Sequence, residues 1–165
     1  MDNSIDFKET GSSFCSIKHF YMLMNNSGLG IDPDDLMAVM IFESWCDPGI
    51  KNHAGSSGIG LVQFLEKTAR SLGTTTQELA NMTGVEQLEY VYEFYKPFAG
   101  KMDDLEDVYM VTLRQIAVGE NSDYPLFEIG DGRYEKNEGL DLNHDGKVTK
   151  QEATEVVIER RRRYE

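Results

Sequence analysis

Glycine and proline divide this sequence into short stretches, and this division limits the structures that the chain can form. The 165 residues include 15 Gly and 4 Pro. The stretches between them have the apolar spacing of short helices, and signals for strands are sparse. No internal repeat or long linker is present. We therefore predict a single, mainly α domain that covers residues 1–165, a size that can bury a core without a disulfide or a metal.

The predicted helices rest on apolar spacing together with capping residues. The clearest begins at Asp32, a good N-cap, and has Pro33 at its first position. Thr75 and Glu78 form the pattern of a capping box for a short helix. The predicted helices cover residues 13–25, 32–44, 64–72, 85–96, 105–117 and 150–163, besides the short helix after Thr75. Residues 121–140 are predicted to be mostly loop, and the strand candidates are residues 62–64 and a short piece at Val148.

The net charge of −13 and the sequence pI of about 4.6 exclude a general nucleic-acid-binding protein, whose affinity would come from Lys and Arg on phosphates. The same charge predicts repulsion from anionic lipids and polyanionic wall polymers, unless cations are bound or charge is segregated. The two cysteines, Cys15 and Cys46, are either two buried free thiols or one disulfide.

No segment of the sequence has the features of a membrane-spanning helix. The longest apolar run, residues 36–42, is far below the roughly 18 residues that crossing a bilayer requires. Residues 1–6 are acidic and polar, without the basic region and the apolar stretch of a signal peptide. We expect synthesis in the cytoplasm without export by that route.

Glu43 is a carboxylic acid in an unfavourable place. Leu36, Val39, Met40 and Glu43 follow a 3-4-3 spacing, so they lie on one face of the predicted helix 32–44. Glu43 also lies in the last turn, where the helix dipole is negative. Burial and the dipole both disfavour the ionised form, so we predict a raised pKa, as a glycosidase requires of its general acid. A solvated Glu at a helix end is the alternative.

The sequence around Glu43 carries a recognisable pattern. Glu43 and Ser44 are followed by Pro48, by a Gly/Ser-rich loop at residues 55–58, and by Gly-Leu-Val-Gln at residues 60–63. This pattern resembles the soluble lytic transglycosylase family of the lysozyme superfamily. Features at residues 86–91, 107–110 and 134–137 are similar to a phage-type branch of that family. The resemblance covers about residues 35–155.

The resemblance implies a lysozyme-like helical fold with a substrate groove. It also implies cleavage of the β-1,4 bond between N-acetylmuramic acid and N-acetylglucosamine in peptidoglycan, with Glu43 as the acid/base and no organic cofactor. Ser44 and Gln63 correspond to family residues at the groove, where an amide can bind sugar hydroxyl or N-acetyl groups. Gly60, together with Gly58, would let the backbone approach the glycan closely.

The phage-type features and the absence of a signal peptide predict a bacteriophage endolysin or a virion-associated lysin. Such a protein would act on the cell wall, in the periplasm or outside the cell. A bacterial enzyme exported by another route is the alternative. We expect a monomer.

The family usually has a tyrosine near the catalytic acid, and this sequence offers more than one. Tyr109 occupies the place of a Tyr-Asn pair in a later helix, although Met110 replaces the Asn. Tyr134 has Asn137 nearby, and Tyr90 is a further candidate. A structural role in the core is the alternative for each of them.

Residues 141–152 match the twelve-residue calcium loop of an EF-hand. The spacing places Gly146 at the sharp turn and a carbonyl ligand at Lys147. The glycines before the loop make a long entering helix improbable, so we expect a structural Ca²⁺ site. The predicted ligands are Asp141, Asn143, Asp145, Lys147, Thr149 and Glu152.

The reaction type depends on whether a second carboxylate assists Glu43. An inverting hydrolase needs one to activate water, and residues 49–64 contain no Asp or Glu. We therefore favour a lytic transglycosylase that forms a 1,6-anhydro product. In a hydrolytic lysozyme, the second carboxylate would come from Asp47, Glu66, Asp104 or Asp107. A calcium-binding structural or wall-binding module with an idle groove is the alternative from another class.

Overall fold

The computed structural model describes Phe20, residues 24–52 and residues 57–163. The elements in this part of the chain are α1 (Pro33–Ser44), α2 (Glu66–Ser71), α3 (Thr76–Leu79), α4 (Gly84–Tyr95), α5 (Leu105–Leu113), β1 (Pro125–Glu128), α6 (Tyr134–Asn137), β2 (Lys147–Thr149) and α7 (Lys150–Arg162). Short 3-10 turns follow α4, α5 and α6, at Lys96–Phe98, Gln115–Ala117 and Glu138–Leu140. The predicted mainly α fold with little strand is confirmed.

Helix α1 lies in the hydrophobic core. It packs against α5 and α7, which also pack against each other. Its residues from Leu36 to Ile41 are all buried, and Asp32 caps its start by accepting a hydrogen bond from the Asp34 N–H at 2.9 Å. The predicted N-cap and length are therefore confirmed. A helix embedded in this way carries the side chains of its last turn into the interior as well.

The two strands form a small antiparallel sheet. Phe127 pairs with Val148 and Glu128 with Lys147, and an irregularity separates these pairs from Pro125 and Thr149. The predicted strand at Val148 is confirmed. The prediction of a mostly irregular segment at 121–140 is wrong, because β1, α6 and a 3-10 turn lie within it. The partner of β1 is about twenty residues away in sequence, so local patterns do not reveal it.

Several predicted helix ends are displaced in the structure. The predicted helix 105–117 stops at Leu113, because Arg114 is extended at φ −159° and ψ 86° and a 3-10 turn follows. In place of the predicted helix 64–72, the structure has α2, which begins two residues later at Glu66. Phe64 is not part of it because it pairs with Ile59. That pairing closes a tight turn in place of the predicted strand 62–64. The predicted helix 13–25 lies outside the described residues, apart from Phe20, Met24 and Asn25.

Cys46 is a buried free thiol directly after α1. Burial raises its pKa to about 12, so the thiol is unreactive at neutral pH. Cys15 lies outside the described residues. Among the helices that the structure describes, none has both the length and the apolar character needed to cross a membrane.

Candidate active site

Glu43 occupies the last turn of α1, which ends at Ser44. Trp45 adopts a left-handed conformation, with φ 56°, and its N–H donates to the carbonyl oxygen of Ile41 at 3.0 Å. The Cys46 N–H then donates to Met40 at 3.2 Å. These two bonds satisfy carbonyl groups at the helix end and reverse the chain direction there. The position of Glu43 is therefore fixed by a well-defined helix terminus.

The Glu43 carboxyl lies in a poorly solvated environment. Burial raises its pKa from 4.5 to about 7. Among the described residues, no hydrogen-bond or ion-pair partner of this carboxyl is found. At neutral pH the group is therefore divided between its protonated and ionised forms, and it is able both to donate and to accept a proton.

Two tyrosines are close enough to Glu43 to feel its charge. Tyr109 of α5 is buried, and burial, Glu43 and Tyr95 together raise its pKa well above 10. Tyr95 of α4 is also fully buried, and its pKa is raised mainly by burial and partly by the charge of Glu43. The Tyr95 hydroxyl lies 3.0 Å from Thr112 Oγ1. Phe42 packs edge-on against the ring of Tyr109 at 5.5 Å.

The other two tyrosine candidates are described by other contacts. The Tyr134 hydroxyl donates to Asp141 Oδ2 at 2.7 Å, at the start of the predicted calcium loop. Tyr90 is half-buried against the core. Nothing in the local sequence of Tyr95 marks it as a neighbour of Glu43.

Ser44 links α1 to the Gly-Leu-Val-Gln segment. It is fully buried, and its hydroxyl hydrogen is shared between the carbonyl oxygens of Met40 at 3.0 Å and Leu61 at 2.9 Å. Both acceptors are protein backbone, and the side chain does not reach solvent. In this structure Ser44 holds the end of α1 against the turn at residues 60–63, instead of facing a substrate.

Gln63 lies at the end of that turn in a left-handed conformation, with φ 53°. Its Nε2 donates to the carbonyl oxygens of Gly60 at 3.1 Å and Ile50 at 3.4 Å. In the described part of the chain, its Oε1 accepts no hydrogen bond. The half-buried amide is thus held by its nitrogen and keeps an acceptor for another group.

Gly60 is required by a contact inside the protein. Gly60 has a φ of +72°, and a Cβ at this position would lie 2.2 Å from Gln87 Oε1. Gln87 is fully buried, accepts a hydrogen bond from the Leu61 N–H at 3.0 Å, and donates to the carbonyl oxygens of Pro48 and Leu79 at 2.7 and 2.8 Å. This contact inside the protein gives a packing reason for Gly60, besides the expected approach of the backbone to a glycan. Sequence reasoning missed Gln87, because its three partners are distant in sequence.

The candidate second carboxylates are engaged in other structural roles. Glu66 accepts from the Thr76 N–H and hydroxyl and pairs with Arg70 at 2.7 Å. Asp104 caps α5 through the Asp107 N–H, and Asp107 pairs with a buried lysine. Asp47 is exposed and accepts from the Gly49 N–H. None of these groups contributes to the raised pKa of Glu43, whose cause is burial.

The loop at residues 141–152 is organised around Asp141. The carboxylate of Asp141 accepts from the N–H groups of Asp145 at 3.3 Å and Gly146 at 2.9 Å. The Glu152 carboxylate accepts from Asn143 N–H at 3.3 Å and from Thr149 N–H and hydroxyl at 2.9 and 2.8 Å. Thr149 and Glu152 form the capping box of α7, a role that the sequence motif did not predict.

The carboxylates of this loop do not converge in the structure. Within the described residues, no group of three or more His, Cys, Asp or Glu side chains is arranged to hold a metal ion. The backbone does have the sharp turn of such a loop, with Gly146 at φ 87° and His144 at φ 60°.

The segment that contains Glu43 and the turn at 60–63 is similar to a known protein family. Residues 20–97 match the family model of the transglycosylase SLT domain. This match supports the soluble lytic transglycosylase and lysozyme-like family, and it implies a lytic-transglycosylase type of enzyme that acts on peptidoglycan in the cell wall. The matched region runs from before α1 to the turn after α4. It includes Glu43, Ser44, Gly60 and Gln63, and it ends before Tyr109 and the loop at 141–152.

Comparison with curated proteins gives no significant match, and comparison with solved structures gives none either.

Proposed function

We propose that the protein is a lytic transglycosylase that cleaves the bond between N-acetylmuramic acid and N-acetylglucosamine, with Glu43 as its acid and base. The observation that carries the proposal is the Glu43 carboxyl at the end of α1, whose pKa burial raises to about 7. General acid catalysis is most effective when the pKa of the acid lies near the working pH. The SLT match covers this residue and the turn that packs beside it.

In the proposed reaction, Glu43 first donates its proton to the glycosidic oxygen, and the bond to the leaving N-acetylglucosamine breaks. The resulting carboxylate accepts the proton of the 6-hydroxyl group of the muramyl sugar, and the 6-oxygen bonds to the anomeric carbon. The product has a 1,6-anhydro end, Glu43 is protonated again, and no water is consumed. One carboxylate is therefore sufficient for the complete cycle.

The electrostatic surroundings of Glu43 support this route over hydrolysis. An inverting hydrolase needs a second carboxylate about 6.5–9.5 Å from the acid. Asp47, Glu66, Asp104 and Asp107 are held by other groups, and the undescribed residues 53–56 contain no carboxylate. We propose Gln63 Oε1 as an acceptor for a sugar N–H or hydroxyl group, and Tyr109 as the neighbour that keeps water from Glu43.

The decisive experiment compares Glu43→Gln with Glu159→Gln at an exposed position of α7, because both remove one carboxylate and only Glu43 is proposed to transfer a proton. Loss of general acid catalysis is expected to lower the rate of wall lysis at least about 100-fold in Glu43→Gln. Glu159→Gln should lyse purified walls at a rate close to that of the parent. Equal activity of the two variants would refute the assignment of Glu43, and inactivity of the unaltered protein would favour a non-catalytic module.

Mass spectrometry of the released muropeptides decides the reaction type. A transglycosylase releases anhydromuramic ends, which are one water lighter than reducing ends. If reducing N-acetylmuramic acid ends dominate, the protein is a hydrolase, and the four carboxylates named above become the residues to replace next.

We further propose a bacteriophage setting, as an endolysin or a virion-associated lysin, because the features at residues 86–91, 107–110 and 134–137 resemble a phage-type branch. The neighbouring genes test this proposal. Lysis genes would support an endolysin, tail genes would support a virion component, and bacterial wall-metabolism genes would contradict both.

We also propose that residues 141–152 bind Ca²⁺ in a structural role. The oxygen-rich side chains and the carbonyl of Lys147 suit a hard cation of this size, and the turn at Gly146 has the conformation that the motif requires. Because the carboxylates do not converge here, binding would have to draw Asp141, Asp145 and Glu152 closer together. The ion would supply charge neutralisation and would tie α7 to the segment around Tyr134.

A further inference from the structure

The end of α7 carries four consecutive arginines, residues 160–163, and they do not share one role. Basic side chains at the end of a helix balance the negative end of its dipole, and this accounts for the exposed members of the run. Arg162 is one of these, and it pairs with Glu155 of the same helix at 3.3 Å. Arg160 instead contacts α1 and the residue that directly follows it.

The guanidinium of Arg160 lies over two aromatic rings, from residues on either side of Glu43 in the sequence. Its central carbon is 5.1 Å from the centre of the Phe42 ring and 4.8 Å from the centre of the Trp45 ring. Phe42 directly precedes Glu43, and Trp45 is two residues after it. In the part of the chain that the structure describes, Arg160 has no ion pair, so its cation is held by the electron-rich faces of the rings.

Both rings belong to the structure that fixes the position of Glu43. The Trp45 N–H donates to the Ile41 carbonyl oxygen at 3.0 Å and so ends α1. Phe42 packs edge-on against Tyr109 at 5.5 Å, and Tyr109 is close enough to feel the charge of Glu43. A guanidinium that holds both rings therefore holds the helix turn to which Glu43 belongs.

The backbone after Glu43 needs such support. Trp45 and Cys46 have φ values of 56° and 58°, in the left-handed region that residues other than glycine seldom adopt. Residues in this region persist only where surrounding contacts stabilise them. Cys46 is buried in the core, but Trp45 is 50% exposed, so the core covers only part of its side chain. Arg160 lies on the ring of this partly exposed residue and restricts its movement.

Helix α7 is itself well anchored, so Arg160 acts from a fixed position. The helix packs against both α1 and α5. Arg161, the next residue, pairs with Asp35 in the first turn of α1 at 3.4 Å, and both side chains are partly buried. All of α7 lies outside residues 20–97, which match the SLT family model. The support for the end of α1 thus comes from a part of the chain beyond the matched region.

We propose that Arg160 is a positioning residue for the catalytic acid, because it keeps the last turn of α1 closed and the Glu43 carboxyl away from water. This inference rests on the proposed function. A cation that acted by its charge would lower the pKa of Glu43, whereas burial raises it. Tyr109 of α5 and Tyr95 of α4 also have raised pKa values, so both are uncharged at neutral pH. Loss of Arg160 should therefore lower the pKa of Glu43, because water would reach its carboxyl.

The structural part of the inference is tested without an activity assay. In Arg160→Ala, hydrogen exchange at the Trp45 and Cys46 N–H groups should become about tenfold faster, because the end of α1 opens more often. The pKa of Glu43, measured by carbon-13 NMR titration of its carboxyl group, should fall from about 7 towards 4.5. Trp45 is the single tryptophan of the chain, so its fluorescence should shift to longer wavelength as its ring enters water.

Two further variants serve as comparisons. Arg162→Ala removes an exposed arginine of the same run, so it should leave the exchange rates, the pKa of Glu43 and the fluorescence unchanged. Arg160→Lys should give intermediate values, because an ammonium interacts with the rings but lacks the planar face of a guanidinium. Equal behaviour of Arg160→Ala and Arg162→Ala, or a rise in the pKa of Glu43 in Arg160→Ala, would overturn the inference.

Kinetics connects the positioning role to catalysis. Because Glu43 must be protonated to act as the acid, the alkaline limb of the pH profile of kcat reports its pKa. In Arg160→Ala this limb should move to lower pH, while KM for soluble glycan strands stays near the parent value. An unmoved limb in an active enzyme would overturn the inference and leave the proposed function intact. If the NMR shift occurs but the unaltered protein cleaves no glycan, Arg160 does support Glu43, and the proposed function is the part that fails.

Discussion

At the scale of single residues, the behaviour of Glu43 follows from burial and not from a charged neighbour. Its pKa is raised from 4.5 to about 7 in the folded protein, while the unfolded chain keeps the ordinary value. Above pH 7 the folded state must hold an ionised carboxylate in a poorly solvated place. Below pH 4.5 the group is protonated in both states, and the penalty vanishes.

This difference predicts a pH-dependent effect of Glu43→Gln on stability. The variant should be more stable than the parent by about 1–3 kcal/mol at pH 8, and the gain should fall towards zero at pH 4. Chemical denaturation at the two pH values measures it. Glu66→Gln is the control, since hydrogen bonds from Thr76 lower the pKa of Glu66, and its replacement should give no gain at pH 8. A pH-independent effect of Glu43→Gln would show that its carboxyl is solvated.

Gln87 shows how much one buried amide can organise. It satisfies the Leu61 N–H and the carbonyl groups of Pro48 and Leu79, and these come from three separate segments. Gln87→Leu has a similar volume but leaves all three backbone groups unsatisfied, so we predict a loss of about 2–4 kcal/mol of unfolding free energy. Gln77→Leu, at an exposed position in α3, should change it by less than about 0.5 kcal/mol. Similar effects of the two substitutions in urea denaturation would contradict the role given to Gln87.

At the scale of elements, α5 and α7 are joined by a buried ion pair. Lys150, the first residue of α7, lies 2.6 Å from the carboxylate of Asp107 in α5, and both side chains are almost fully buried. Although burial acts to raise the pKa of Asp107, hydrogen bonds from Lys150 and from the Gly119 and Asp103 N–H groups lower it. The pair therefore ties the segment 141–152, which contains Lys150, to the helix that carries Tyr109.

Breaking this pair from one side should be costly, because a buried charge would remain without a partner. We predict that Lys150→Met lowers the unfolding free energy by about 3–5 kcal/mol, and that adding Asp107→Leu recovers part of the loss. Lys96→Met removes an exposed ion pair with Glu93, and it should change the unfolding free energy far less than Lys150→Met does. Thermal denaturation is measured for four variants: Lys150→Met, Asp107→Leu, the double variant and Lys96→Met. If the losses of stability in the two single variants add up to the loss in the double variant, Lys150 and Asp107 do not interact.

At the scale of the whole molecule, the net charge of −13 favours the binding of cations. If Ca²⁺ binds the loop at 141–152 only in the folded state, a concentration 100 times the Kd should add about 2.7 kcal/mol of stability. The melting temperature should then rise by several degrees with Ca²⁺ and fall on chelation. The same concentration of Mg²⁺ controls for charge screening.

Two glutamate variants in α7 locate the calcium effect. Glu152→Gln keeps an acceptor for the capping box but removes the proposed bidentate ligand, so the increment from Ca²⁺ should disappear. Glu159→Gln changes the net charge equally at an exposed position, and it should keep the increment. An identical rise in both variants would mean that Ca²⁺ acts through the general charge.

The sequence by itself determined the features that depend on neighbouring residues. The N-cap at Asp32, the end of α1 near Ser44, the short strand at Val148 and the mainly α class all follow from local spacing and capping, and the structure agrees with them. The apolar face that contains Glu43 also predicted its raised pKa, because residues three or four apart share a helix face whatever surrounds it.

Only the tertiary structure decided which distant residues meet. It placed Tyr109 and Tyr95 close enough to Glu43 for its charge to raise their pKa values, and it placed Tyr134 in a hydrogen bond with Asp141. It showed that Ser44 and Gly60 serve contacts with Leu61 and Gln87 within the protein. It also ended α5 at Leu113, where the sequence has no Gly or Pro, and directed Arg114 onto Phe127. These outcomes depend on packing between segments far apart in the chain, and local periodicity contains no information about such pairs.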